Sequence, residues 1–329
     1  GYSRGKVLAL QAILTAEREA LGDVLRAVVV ADYEKTSAVS SEIRHLLDNE
    51  AGGAVAAFRA LLGHEETDAL DPVLVTGSTV LVDDDLRPRF ANAAGDWLGN
   101  HDHRVSLAWQ EQEGFFVLRG AGPDWSPRVY VAMVTALFQD GVTRCLVGTR
   151  GLLGEGWDAQ KANVLVDLTT VTTSTSVNQL RGRSIRLDPE APQKVADNWD
   201  VVCLAPEFAR GLDDYHRFRD KHRTLFGVTD DAAIEKGVGH VHPAFTDMKP
   251  EGVEESVGWL NSEMLSRARR RAVARAQWKV GTPYRAVPVR AVEVKPDGAA
   301  GGGGFPPFGA TAEPWTGASL GAAIGRAVL

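Results

Sequence analysis

Apolar residues change their spacing along the chain, and each change marks an element. Leu8, Ile13, Leu14 and Leu21 recur near helical spacing and predict a helix over 7–21, ended by Gly22-Asp23. Residues 26–32, Arg-Ala-Val-Val-Val-Ala-Asp, enclose an apolar run between two charged ends and read as a buried strand. Helical patterns follow at 43–47 and 54–62. A second strand is predicted at 72–77, with 78–82 extending it. From 129 the pattern sharpens into a helix at 129–138, a strand at 144–148 and a Gly-rich turn through Gly156. After these come a strand at 162–168, a helix at 176–185 and a strand at 199–204. Apolar strands alternating with helices predict an α/β fold, a parallel sheet with helices on both faces, whose ligands bind at the strands' carboxyl ends.

Two stretches depart from this rhythm. Residues 83–122 are less regular and read as an insertion, with Asp83-Asp84-Asp85 as a solvated acidic loop and 114–119 as a strand. Beyond Pro206 the chain becomes rich in charge and aromatics. It has a long helix predicted at 253–278, a strand-like alternation at 284–294 and a flexible linker from Gly298 to Gly304. The expected organisation is a main α/β domain over 1–205, a mainly helical accessory segment over 206–297, and a linker and tail over 298–329.

Composition narrows the class. Apolar residues form 44% of the 329, enough for a sizeable core and too many for a disordered chain. No apolar run is long enough to span a bilayer, and no membrane partner is expected. The start, Gly1-Tyr2-Ser3-Arg4, lacks Met and leads into a helix rather than a signal peptide, so the chain is expected to be part of a longer protein. Cys145 and Cys203 sit in short apolar runs as small hydrophobes, which suits a reducing cytoplasm. The net charge of −7 excludes a basic coat over the whole surface, but not a local basic strip.

Two segments carry candidate chemistry. In Leu146-Val-Gly-Thr-Arg-Gly-Leu-Leu-Gly-Glu-Gly-Trp-Asp-Ala159 a strand ends at Gly148 and the chain turns through glycines that permit close approach of a ligand. Thr149 offers a hydroxyl and an N–H to a phosphate oxygen, and Asp158 an acceptor. In Asn178-Gln-Leu-Arg-Gly-Arg-Ser-Ile-Arg186, Arg183 and Arg186 are three apart on one predicted helix, Gln179 shares their face and Arg181 points elsewhere. Two guanidinium forks beside an amide suit a polyphosphate. Taken singly, each segment also reads as something plainer, an ordinary strand-to-helix turn and a solvated basic face.

Together, in this order and with one strand between them, the segments resemble motifs V and VI of superfamily 2 helicases. The likeness covers roughly 129–204 and is nearest to the group holding excision-repair helicase-like proteins and type III restriction subunits. It implies a RecA-like second motor lobe. By position, Arg186 would be an arginine finger on the γ-phosphate of ATP, and Arg183 a second contact to it. Gln179, Gly182, Gly156 and Asp158 would face the nucleotide, and Gly148, Thr149 and Arg150 the nucleic-acid backbone. Trp157 and Gln160 depart from the residues usual at their places. The resemblance also implies a partner N-terminal RecA-like lobe binding most of the ATP and Mg²⁺, and DNA rather than RNA as the track. The reading requires both arginines to face a cleft rather than be buried in internal ion pairs.

The sequence contains no Gly-x-x-x-x-Gly-Lys-Ser/Thr loop and no Asp-Glu-x-Asp/His box, so the isolated chain is not expected to hydrolyse ATP. A duplex translocase without strand separation would carry the same motifs, and a nucleotide-independent scaffold is the alternative of another class. The basic stretch containing Arg269, Arg270 and Arg271, together with Arg217, Arg219, Lys221 and Arg223, is a candidate nucleic-acid strip with Trp278 to stack on a base, and a solvated helix is the plainer alternative. His101-x-His103 and His240-x-His242 lack further ligands in register, and no metal site is expected.

Overall fold

The run Ala27–Ala31 has no polar side chain to turn toward water, and it becomes β1, buried at every position. In the computed structural model the described residues are 2–32, 53–151, 157–170 and 172–279. The chain divides into two units, Gly1–Val280 and Gly281–Leu329. The second unit, and the helical pattern expected at 43–47, lie outside the described residues.

Eight strands form one sheet in the order β4-β5-β3-β2-β6-β1-β7-β8. Five are parallel: β2 (Val73–Val75), β6 (Cys145–Thr149), β1, β7 (Val164–Asp167) and β8 (Asp197–Asp200). Three antiparallel strands extend one side: β3 (Val80–Asp83), β4 (Ser106–Gln112) and β5 (Phe115–Ala121). The period-2 geometry of a strand sends neighbouring valines of β1 to opposite faces. Val28 and Val30 join Leu146, Leu165, Phe90, Met133, Phe138 and Leu180 on one face. Val29 joins Val147, Val166, Leu10, Leu14, Phe58 and Leu61 on the other.

Helices supply those covering residues. Helices α4 (Arg87–Asn100), α5 (Pro127–Gln139) and α6 (Ser174–Ser184) cover the first face. Helices α1 (Tyr2–Leu21) and α2 (Ala54–Leu62) cover the second, and the short α3 (Glu65–Asp68) follows α2. The chain is therefore an α/β fold with a mostly parallel sheet between helical layers. Each buried valine contributes about 1.5–3 kcal/mol, so this two-sided core is the main source of stability. Among the described residues no helix is long and apolar enough to cross a membrane.

The structure corrects several sequence expectations. Residues 78–82 do not prolong β2; the chain reverses at Thr76–Thr79 and returns as antiparallel β3. Asp83, read as part of a solvated loop, ends β3 and is buried. The irregular 83–122 stretch supplies α4 and two strands of the same sheet. The strand expected at 199–204 is β8, four residues earlier in register at its end; Val202 and Leu204 instead pack with Tyr215, Phe218 and Val238.

Beyond β8 come α7 (Asp213–His222), a small hairpin of β9 (Phe226–Val228) and β10 (Ile234–Lys236), α8 (Pro250–Ser266) and α9 (Arg271–Trp278). The single helix expected at 253–278 is two, broken by a 3₁₀ turn at Arg267–Arg269 around the buried Ala268.

Candidate functional site

Strands β6 and β7 flank β1 in parallel, so the segments leaving Thr149, Ala31 and Asp167 emerge together at one sheet edge. Asp32 ties two of them, its Oδ2 accepting from the amide (2.7 Å) and hydroxyl (2.6 Å) of Thr170. Gly148 is buried in register with Val30 and Val75; Thr149 is half-buried and Arg150 exposed. Gly156 lies outside the described residues.

The turn is anchored from below by Trp157. Its ring is buried among the apolar side chains of the α4–α5–α6 face, and Nε1 donates to Thr135 Oγ1 on α5 at 2.9 Å. Trp157 therefore both fills the core and adds a hydrogen bond to α5. Gln139 Oε1 accepts from the Gln160 amide at 3.0 Å, and Lys194 Nζ donates to the carbonyls of Gln160 and Ala162. Burial draws the Lys194 ammonium down from the ordinary lysine range.

Helix α6 closes on this turn. Arg183 Nη1 donates to the Trp157 carbonyl at 2.7 Å, and Arg186 Nη1 lies 2.7 Å from Asp158 Oδ2. Consecutive residues of the turn are thus gripped by two arginines three apart. Their settings differ: Arg183 is half-buried, beside Val28, Val30, Leu180 and Ser184, whereas Arg186 and Asp158 are 39% and 44% exposed. The expectation that both arginines lie on one helix is corrected, because α6 ends at Ser184 and Arg186 follows the C-cap Ile185. Ser184 turns its hydroxyl to the Arg181 carbonyl (3.0 Å) and to Asn198 Oδ1 (2.7 Å), fixing that end.

Gln179 is exposed on α6. A Cβ built on Gly182 would meet nothing within 4 Å among the described residues, so the fold itself does not require glycine there. Ile185 and Leu187, on either side of Arg186, are 60% and 84% exposed.

The structure withdraws Arg271 from the expected strip and leaves Arg269 and Arg270 at the surface. Arg271, its side chain 12% exposed, lies against Glu17 (2.6 Å) and Asp197 (3.0 Å), with Glu17 also accepting from Trp199 Nε1 (2.6 Å). That arginine joins α9 to α1 and β8 and is unavailable to phosphates. Arg269 pairs with Glu19, and Arg270 with Glu263 at 3.1 Å, both at the surface. Carboxylates thus already face all three cations. The histidine pairs are packing groups: His101 and His103 stack on Trp97 (4.1 and 5.6 Å), and His242 Nδ1 accepts from the Ala244 amide.

Lys221, expected in the basic strip, is instead buried in a charge cluster at the same sheet edge that sequence reasoning missed. Asp167 and Asp200 end adjacent strands in register, and Lys221 of α7 donates to both, at 2.7 and 3.2 Å. Arg181 of α6 donates to Asp200, and its Nη2 lies 2.9 Å from His222 Nε2. Burial opposes the charge on Asp200, but His222, Arg181 and Lys221 outweigh it and hold the carboxyl well below the usual range. Burial likewise opposes the Lys221 charge, and Asp200 and Asp167 raise it above the ordinary lysine value. The available signal was an aspartate closing each of two neighbouring strands, Val-Leu-Val-Asp167 and Asn-Trp-Asp200.

No protein-family model matches the sequence, and no curated protein is significantly similar to it.

Proposed function

We propose that this chain is the arginine-bearing, RecA-like lobe of a two-lobed, ATP-dependent motor that moves on nucleic acid, with DNA as the favoured track. The observation carrying this reading is the double grip of Arg183 and Arg186 on Trp157 and Asp158. Two sequence segments that resemble motifs V and VI meet as one unit where sheets of this kind bind ligands. Arg183 serves as the inner, fixed member and Arg186 as the outer one, exposed enough to exchange Asp158 for a phosphate. The open space at Gly182 and the exposed Ile185 and Leu187 support a face that meets another body. Among the described residues Arg150 and Gln179 are exposed and Thr149 is half-buried, which supports contact of this edge with nucleic acid or nucleotide.

The residues fit an ATP γ-phosphate only in part: guanidinium donors are present, but no phosphate-cradling loop or Mg²⁺ carboxylates in the family's arrangement occur in the sequence. A partner N-terminal lobe would hold ATP and Mg²⁺. Here, Arg186 would neutralise charge on the transferring phosphoryl group, an effect on the order of 10³–10⁵ in rate. Arg186→Ala in the complete protein is expected to reduce nucleic-acid-stimulated ATP turnover by about that factor while Tm moves by roughly 2 °C or less. Turnover within twofold of wild type would remove the proposal. The isolated chain mixed with ATP and Mg²⁺ is expected to release no phosphate above background.

A further inference from the structure

The cluster beneath α6 lies outside the proposed nucleotide contacts, yet it is among the most buried ionic arrangements of the described residues. Lys221 and Asp167 side chains are each 5% exposed, and those of Asp200 and His222 7% and 4%. Parallel pairing of β7 with β8 sets Asp167 beside Asp200, so two carboxylates meet away from water at the sheet's edge. Such a pair needs a cation, because burial of unpaired charge is costly. The fold takes that cation from α7, beyond the strand–helix alternation, rather than from the sheet. Lys221 Nζ bonds Asp167, the Thr169 carbonyl (3.1 Å) and Asp200. Asp200 spends its second oxygen on Arg181. Arg181 is in the middle of the stretch that carries Gln179, Gly182, Arg183 and Arg186. A continuous path of charge-assisted bonds therefore runs from α7 through Asp200 to α6. Phe218, packed edge-on against Phe245 (5.5 Å between ring centroids), keeps the lysine's helix seated.

We infer that Lys221 and Asp200 are positioning residues for α6: through Arg181 they set where the helix presents Arg183 and Arg186. On this account the segment after β8 is part of the working unit, and a shift of α7 is transmitted to the arginines. The inference rests on the proposed motor reading for its catalytic consequence, but its mechanical half does not.

The test separates the two. Amide hydrogen exchange of the full chain is compared for wild type, Lys221→Met, Lys221→Arg and Arg181→Gln. Lys221→Met and Arg181→Gln are expected to speed exchange across 174–184 at least tenfold, with β1 and β6 amides changed less than threefold. Lys221→Arg keeps a cation and is expected to recover most of the protection. If Lys221→Met does not fold, Arg181→Gln decides, since it leaves Lys221 with both aspartates. Unchanged exchange over 174–184, or a rise matched in β1 and β6, overturns the inference. In the complete protein the same variants are expected to lower kcat for ATP tenfold or more with KM within twofold, and Lys221→Arg to restore it. A KM effect alone would also overturn it. Absence of ATP turnover in wild type would sink the motor reading while leaving the exchange result to judge the coupling.

Discussion

Arg186 Nη1 stands 2.7 Å from Asp158 Oδ2, and each side chain keeps more than a third of its surface in water. An ion pair so exposed stabilises a fold by about 0–1 kcal/mol, because solvent screens the attraction and ordering two side chains costs entropy. Asp158→Asn should therefore lower unfolding free energy by less than about 1 kcal/mol in urea titrations. A loss of about 3 kcal/mol or more would make the pair a structural bolt and disqualify Arg186 as an exchangeable ligand.

Trp157 is the opposite case, since its ring is in the core and its indole N–H is satisfied by Thr135. Trp157→Phe removes the hydrogen bond and some volume, and should cost about 1–2 kcal/mol. Trp157→Ala leaves a large cavity beneath the turn and should cost about 3–5 kcal/mol. Urea midpoints of the two variants measure the order. A neutral Phe variant together with an Ala variant within about 1 kcal/mol of wild type would mean that the turn is not anchored there.

Local pattern revealed those parts of the fold that local physics decides. The valines of 27–31 and 164–166 could only be buried strands, and helices α2, α5 and α6 followed from apolar spacing and their Gly or Ser/Thr boundaries. What the pattern could not reveal depends on partners distant in sequence. Nothing near Lys221 shows that it will meet Asp167, 54 residues away, or near Arg271 that it will meet Glu17, 254 away. A run of arginines therefore looked like an open strip although its inner member is consumed by α1 and β8. The meeting of 157–158 with 183–186 was legible only because two motif-like segments were read together. The predicted end of that helix at 185 lies one residue beyond the observed one, but what holds it there, the Ser184 hydroxyl on Asn198 of the next strand, was not legible.

Burial distinguishes the three arginines of the expected strip. Removing Arg271 strands two carboxylates, one of them fully buried, so Arg271→Ala should cost about 3–5 kcal/mol. Arg270→Ala, at a 44% exposed side chain, should stay within roughly 0.5 kcal/mol. Thermal or urea unfolding of both variants checks the contrast. Equal, small losses would return Arg271 to the solvent-facing role expected from its sequence.

Asp83 makes stability depend on pH through a group that the sequence placed in water. Its residue is 3% exposed, and burial, followed by the like charges of Asp68, Asp84, Asp71 and Asp85, pushes its carboxyl up to about 7. The unfolded chain should titrate near the ordinary value of 3.8. Between these two values the folded state binds more protons than the unfolded one, so stability falls as pH rises through that window. Below it the carboxyl is neutral in both states; above about 7 the whole cost of a buried charge is present. Asp83→Asn keeps the shape and abolishes the charge. It should match wild type near pH 4 and gain on the order of 1–3 kcal/mol by pH 8, the gain growing mainly between pH 5 and 7. Urea midpoints at each pH and constant ionic strength give the difference directly. A difference independent of pH would show that Asp83 keeps an ordinary carboxylate's titration, with water or a cation compensating its position at the end of β3.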